Sequence, residues 1–371
     1  MSNASKECNK ALSETPVAKD TAERCFADLI GQDEAKARLL NLWAEDRVRF
    51  ILLTGEEGRG KRVLARAFAC FCLAMAAEDE SAETWFKAGT HPDFTELQPD
   101  DKNKLIPVDR VRTAVLADID MLPQVGRLKV YLINADALGE PSQNALLKTL
   151  EEPPAHCLFL LTAARPDRLL PTVLSRATEI RLAPYTDAAL KTILELRLNS
   201  SPGSRAEGDV LEQTAPYPVT EETLAFAVRF AGGSAGRALA VIQDPDVQEA
   251  LAAVNDFLFA VPGLRLTDCL TQGEKLFEDY KNRDGLLFDL IEMWLRDRLL
   301  AGCVEPVEDD LVYRRRADEF RQAAAGGAPA RALLNLAAAL QKVREARRYN
   351  GNFEIDTTYL LLRIYKELQN A

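Results

Sequence analysis

The chain has 371 residues, 47% of them hydrophobic and 28% charged, a composition that excludes wholesale disorder and suits two or three domains. Its 46 basic and 57 acidic residues give a net charge of −11, which argues against a broad nucleic-acid-binding surface, because phosphate contacts need clustered Lys and Arg. No apolar run approaches the ~20 residues of a membrane helix, and the polar N-terminus lacks a signal-peptide core, so a cytoplasmic protein without membrane contact is expected. Seven cysteines, at positions 8, 25, 70, 72, 157, 269 and 303, form no paired framework and read as reduced thiols. Cys70 and Cys72 form a C-x-C with no second pair nearby, and read as helix packing rather than as a metal site.

Residues 1–22 are polar, lack an apolar period and read as a flexible tail. Ala35, Leu39, Leu40 and Trp43 then follow helical spacing, and Phe50–Thr54 is a buried strand. A glycine loop, Gly55 to Arg62, follows that strand directly and leads into a helix from Val63 to Ala76. Lys129–Asn134 and Cys157–Thr162 are further strands. The helix between them, Ser142–Glu152, has Pro141 at its start and Pro153-Pro154 at its end, as proline's fixed φ and missing N–H require. This βαβ punctuation predicts an α/β domain over 23–183 with a mostly parallel sheet.

Strand signals stop after Pro184. A small helical domain is expected over 184–243, interrupted by a polar loop from Ser200 to Pro218, and an all-α domain over 244–371 opens at Asp244-Pro245. Its apolar stripes are Leu286, Leu287, Leu290, Ile291, Trp294 and Leu299; then Leu333, Leu334, Leu336, Ala337, Leu340 and Val343; then Leu360, Leu361, Ile364 and Leu368. None of these segments is net basic.

The loop matches G-x-x-x-x-G-K at Gly55, Gly60 and Lys61, with a further glycine at Gly58. A working phosphate loop places Ser or Thr next, because that hydroxyl binds Mg²⁺ while the glycine amides and the lysine hold phosphates. Here the position is Arg62, which cannot ligate a cation. The acidic pair expected at the end of the strand Val130–Ile133 is also missing: the sequence reads Asn134-Ala135-Asp136-Ala137, and Asp136 reads as a cap for the next helix. Two losses at one site predict a chain with no intrinsic ATPase.

Five segments in succession resemble the AAA+ subunits of the bacterial DNA polymerase III clamp loader: Leu29-Ile30-Gly31-Gln32, the loop at Gly55, Thr90-His91-Pro92-Asp93, the run from Gln143 to Pro154, and Leu174-Ser175-Arg176. Ala231 to Gly236 and Asn352 to Tyr365 extend the likeness more weakly. The resemblance implies a P-loop AAA+ domain over 23–183, a small helical lid over 184–243 and an all-α oligomerisation collar over 244–371. It implies a hetero-pentameric ring with ATP sites between subunits, partnered by the other clamp-loader subunits, by the sliding clamp indirectly, and by primed DNA through the assembled complex. Ser175-Arg176-Ala177 stands where the family projects an arginine finger into the neighbour's site, with Arg176 the finger and Ser175 its motif neighbour.

By the same resemblance Gly55, Gly58, Gly60, Lys61, Arg62 and Thr162, the last at a sensor position, form a vestigial nucleotide site, with ATP or ADP binding doubtful and no cofactor required. Gly236 stands where hydrolysing relatives carry a nucleotide-sensing arginine. The four zinc-binding cysteines usual in the family are absent from Glu78–Gly89, so no metal is expected. The implied role is a non-hydrolysing stator within the DNA polymerase III holoenzyme. The alternative is an ATP-hydrolysing motor subunit of the gamma or tau type.

Overall fold

The computed structural model describes residues 16–45, 48–77, 81–100, 105–199, 220–303, 311–313, 316–325, 330–348 and 351–369. The polar loop 200–218 and the first fifteen residues lie outside these. The chain divides into two compact units, one of residues 1–214 with 231–238, the other of 215–230 with 239–371. The division runs through the segment 184–243, expected as one lid, rather than around it.

In the first unit the chain runs through α1 (Pro16–Phe26), α2 (Asp33–Glu45), β1 (Phe50–Thr54), α3 (Lys61–Ala76), α4 (Ala82–Lys87), β2 (Phe94–Leu97), α5 (Val108–Val111, continued by a π-turn at Arg112–Leu116) and β3 (Lys129–Asn134). It continues through α6 (Glu140–Glu151), β4 (Cys157–Ala163), α7 (Pro171–Leu174), β5 (Thr178–Arg181) and α8 (Asp187–Asn199). The five strands form one sheet in the order β2-β3-β4-β1-β5, and every pairing is parallel. Helix α1 begins at Pro16, inside the expected tail. Its Ala18, Thr21 and Phe26 are buried, and small residues at helical spacing leave no strong apolar period to read.

Alternation divides the core into two. Ile51, Leu53, Leu132 and Leu160 pack on one face against Leu39 of α2 and Leu64 and Phe68 of α3. Leu52, Tyr131, Phe159 and Leu161 pack on the other against Val111 of α5 and Leu146 and Leu150 of α6. Burial on both faces is why β1, β3 and β4 read as continuous apolar runs. It also fixes the carboxyl end of β1 as the place where the Gly55 loop emerges beside the strand order's reversal.

Helices α9 (Glu221–Ala231) and α10 (Ala235–Gln243) lead to the remaining helices of the second unit: α11 (Pro245–Ala260), α12 (Leu266–Asp279), α13 (Asp284–Cys303), α14 (Ala317–Ala325), α15 (Ala330–Arg348) and α16 (Phe353–Gln369). The Asp244 carboxylate caps α11 by accepting from Asp246 N at 3.1 Å, with Pro245 in the first turn. Trp294 is a core residue, edge-on to Phe259 and beside Phe320. Leu334, counted in an apolar stripe, is instead exposed on α15. Among the described residues no helix is long and apolar enough to cross a membrane.

Candidate functional site

The loop after β1 is closed on itself. Gly58 and Gly60 take φ of +77° and +79°, conformations that a side chain resists. Lys61, at the start of α3, turns its ammonium back onto the loop and donates to Gly55 O at 2.6 Å and Glu56 O at 2.8 Å. Burial pushes its pKa down from the ordinary lysine value, against the pull of nearby Asp136 and Glu57. Arg59 also folds inward, donating to Glu56 Oε2 at 2.7 Å and Leu182 O at 3.4 Å.

Where a cation would need a hydroxyl and a carboxylate, the structure has a chain of polar contacts. Arg62 Nε meets Glu96 Oε1 on β2 at 2.6 Å, and Arg66, one turn further along α3, meets the other oxygen of the same carboxylate. Gln98 donates to Glu96 Oε1 at 3.1 Å and accepts from Asn134 Nδ2 at 3.2 Å. Arg62 and Asn134, standing at the two expected metal-ligand positions, are thus tied into one network through Glu96 and Gln98. This donor set does not fit a Mg²⁺–nucleotide complex: a guanidinium occupies one position and a neutral amide the other. Thr162 is buried on β4, paired in register with Asn134 on one side and Leu53 on the other.

The start of α10 closes the same loop. Ser234 Oγ donates to Glu57 O at 2.9 Å, and Gly236 N donates to Gly58 O at 3.1 Å. A Cβ on Gly236 would lie 2.8 Å from Gly58 Cα, so no side chain fits between these backbones. Tyr185, whose amide donates to Gly233 O at 2.9 Å, brings its phenol against the loop: a Cβ on Gly60 would lie 2.5 Å from the hydroxyl. Burial pushes that phenol's pKa up, partly offset by a hydrogen bond with Gln32.

Ser175 and Arg176 lie elsewhere, in the turn between α7 and β5. Arg176 donates to Thr172 O at 2.7 Å and Ser175 Oγ at 3.2 Å, and its Nη2 lies 2.7 Å from Glu151 Oε1 at the end of α6. The guanidinium stays about one-third exposed. Asp136 does not cap the following helix. It sits in a 3₁₀ turn and accepts from Ala164 N at 2.5 Å and Arg165 N at 3.0 Å, tying down the chain as it leaves β4. Among the described residues no group of three or more His, Cys, Asp or Glu is placed to hold a metal ion.

The structure thus brings Gly55, Gly58, Gly60, Lys61 and Arg62 together, with Thr162 on the strand beside β1, and sets Ser175 and Arg176 apart. Glu96, Gln98, Glu151, Tyr185 and Ser234 were not singled out from the sequence as site residues. The alternation that puts Glu96 and Gln98 on one side of an extended segment was the available signal.

Residues 31–186 match the family described as "DNA polymerase III, delta subunit". The chain is 36% identical over 181 residues to the DNA polymerase III subunit delta' of Pseudomonas aeruginosa, covering 47% of this chain and 54% of that protein. It is 34% identical over 192 residues to the subunit tau of Salmonella typhimurium, covering 49% of this chain and 29% of that protein. It is 24% identical over 351 residues to the subunit tau of Bacillus subtilis, covering 88% of this chain and 59% of that protein. The chain spans about half the length of the delta' relative. The matched region contains the whole five-stranded parallel sheet, an α/β domain.

Proposed function

We propose, for a chain whose residues 31–186 match the DNA polymerase III delta-subunit family, that the protein is a non-hydrolysing clamp-loader subunit of the delta' kind. It acts as a stator in a hetero-oligomeric ring that loads a sliding clamp onto primed DNA, and it contributes Arg176 to a neighbour's ATP site. The observation that carries this reading is the pairing of Arg62 with Glu96 while Lys61 donates to the loop's own carbonyls. A P-loop engaged in this way has neither a metal ligand nor a free lysine to offer a triphosphate.

Arg176 supplies the chemistry that remains. A guanidinium set against γ-phosphoryl oxygens stabilises the charge that develops there as the phosphoryl group transfers, an effect worth roughly 10³ to 10⁵ in rate. Its three local holds, on Thr172, Ser175 and Glu151, fix its position at a short turn while leaving it about one-third exposed. The second unit serves as the collar. Ile355, Tyr359 and Leu362 recur at i, i+4 and i+7 on α16 and are all exposed, an apolar stripe suited to a partner helix. Arg62, Asn134 and Gly236 all count against the alternative, an ATP-hydrolysing motor subunit.

The test is ATP turnover. The isolated chain is expected to show no Mg²⁺-dependent hydrolysis; turnover abolished by Lys61→Ala would overturn the reading. In a complex reconstituted with delta, gamma or tau subunits and the clamp, Arg176→Ala is expected to remove one site's share of DNA-stimulated turnover, and an unchanged rate would remove the finger assignment.

A further inference from the structure

Helix α1 lies on the P-loop helix α3, held by Phe26 against Phe71 and by Arg24, whose Nε lies 3.1 Å from Glu83 Oε2 on α4. Across this contact the sulfurs of Cys25 and Cys70 are 3.4 Å apart. Cys25 is half-buried and so reachable from solvent, whereas Cys70 is buried behind it. We propose that Cys25 and Cys70 are a reversible redox site, at which a hydroperoxide oxidises Cys25 and Cys70 resolves it to a disulfide that fastens α1 to α3.

The geometry divides the labour between the two sulfurs. The contact with the Cys70 sulfur holds the Cys25 thiol below its ordinary pKa, aided by Lys87 and Arg24 and opposed by burial and Glu83. Cys70 is pushed up by that same contact and by burial, so Cys25 gives up its proton more readily than Cys70 does. The Cys25 thiolate attacks one peroxide oxygen; the S–O bond forms, the O–O bond breaks, and the departing hydroxide takes a proton to become water. Cys70 sulfur then attacks the sulfenic sulfur, the S–S bond forms, and the hydroxyl leaves as water with the Cys70 proton. Two thiols and one hydroperoxide give one disulfide and two waters when the oxidant is hydrogen peroxide. The two sulfurs, now 3.4 Å apart, must close to the about 2.05 Å of an S–S bond.

The test treats the full native chain with hydrogen peroxide, quenches with an alkylating reagent under denaturing conditions and maps the peptides by mass spectrometry. A Cys25–Cys70 link is expected, lost in Cys25→Ser and retained in Cys72→Ala. It should be accompanied by a rise of several degrees in Tm that dithiothreitol reverses, since the cross-link closes a long loop in the unfolded chain. Cys25 over-oxidised to sulfinic acid with Cys70 still a free thiol would overturn the proposal, as would Cys25 joined to Cys8 or another thiol.

Discussion

Arg176 Nη2 lies 2.7 Å from Glu151 Oε1, so the guanidinium proposed as a finger is already held by the last residue of α6 in its own chain. Both side chains are substantially exposed, and such pairs contribute roughly 0 to 1 kcal/mol. Glu151→Gln is therefore expected to leave stability within about 1 kcal/mol by urea unfolding. Because Thr172 O still holds Arg176, turnover of the reconstituted complex should stay at or above wild type. A fall equal to that of Arg176→Ala would make Glu151 a positioning residue instead.

Glu96 is the shared counter-ion of Arg62 and Arg66, and it is largely buried. Glu96→Ala leaves two partly buried guanidinium groups without that carboxylate and Gln98 without an acceptor. A loss of about 1–3 kcal/mol in urea unfolding is expected. The converse change, Arg62→Thr, restores the motif's hydroxyl but not the loop's shape; titration with a fluorescent ATP analogue is expected to show no saturable binding.

Gly236 meets Gly58 backbone to backbone. Gly236→Ala places a methyl 2.8 Å from Gly58 Cα, where the obstacle is main chain and cannot rotate away. A cost of about 1–3 kcal/mol is expected, read as a lower Tm, whereas Gly263→Ala, with open space around the position, should change Tm little.

In the second unit Asp297 is fully buried on α13 and accepts from Tyr313 N at 2.7 Å, with Arg296 Nη1 at 3.0 Å. Burial pushes its pKa above the ordinary aspartate value, opposed by the Tyr313 and Val312 amides and by Arg296. A carboxyl with a raised folded pKa holds its proton better when folded, so its contribution favours folding below the ordinary aspartate pKa and declines as pH rises through the folded value. Asp297→Asn removes this titration. Unfolding free energies of the two proteins, followed from acid to neutral pH, should show wild type losing ground to the variant over that interval; parallel curves would refute the raised pKa.

The central sheet was legible where burial made it so. Phe50–Thr54, Lys129–Asn134 and Cys157–Ala163 are covered on both faces and read as apolar runs. The edge strands β2 and β5, Phe-Thr-Glu-Leu and Thr-Glu-Ile-Arg, escaped notice, because edge positions are short and tolerate charge. The site followed the same rule. The glycine loop is contiguous and could be read directly, but Glu96 belongs to it only because β2 pairs with β3 and so faces α3 across 34 residues of chain. Asp136 was misassigned because its proximity to a helix start is sequential, while its partners, Ala164 and Arg165, come from the next strand's end.

The approach of Gly236 to Gly58 also bears on position 62. An arginine at position 236 cannot be accommodated while the loop is closed, and a hydroxyl at position 62 gains nothing until the loop opens. The two positions are therefore coupled: either substitution made alone breaks the closed loop or leaves it shut, and only a change that moves the Gly58 main chain lets both take effect together.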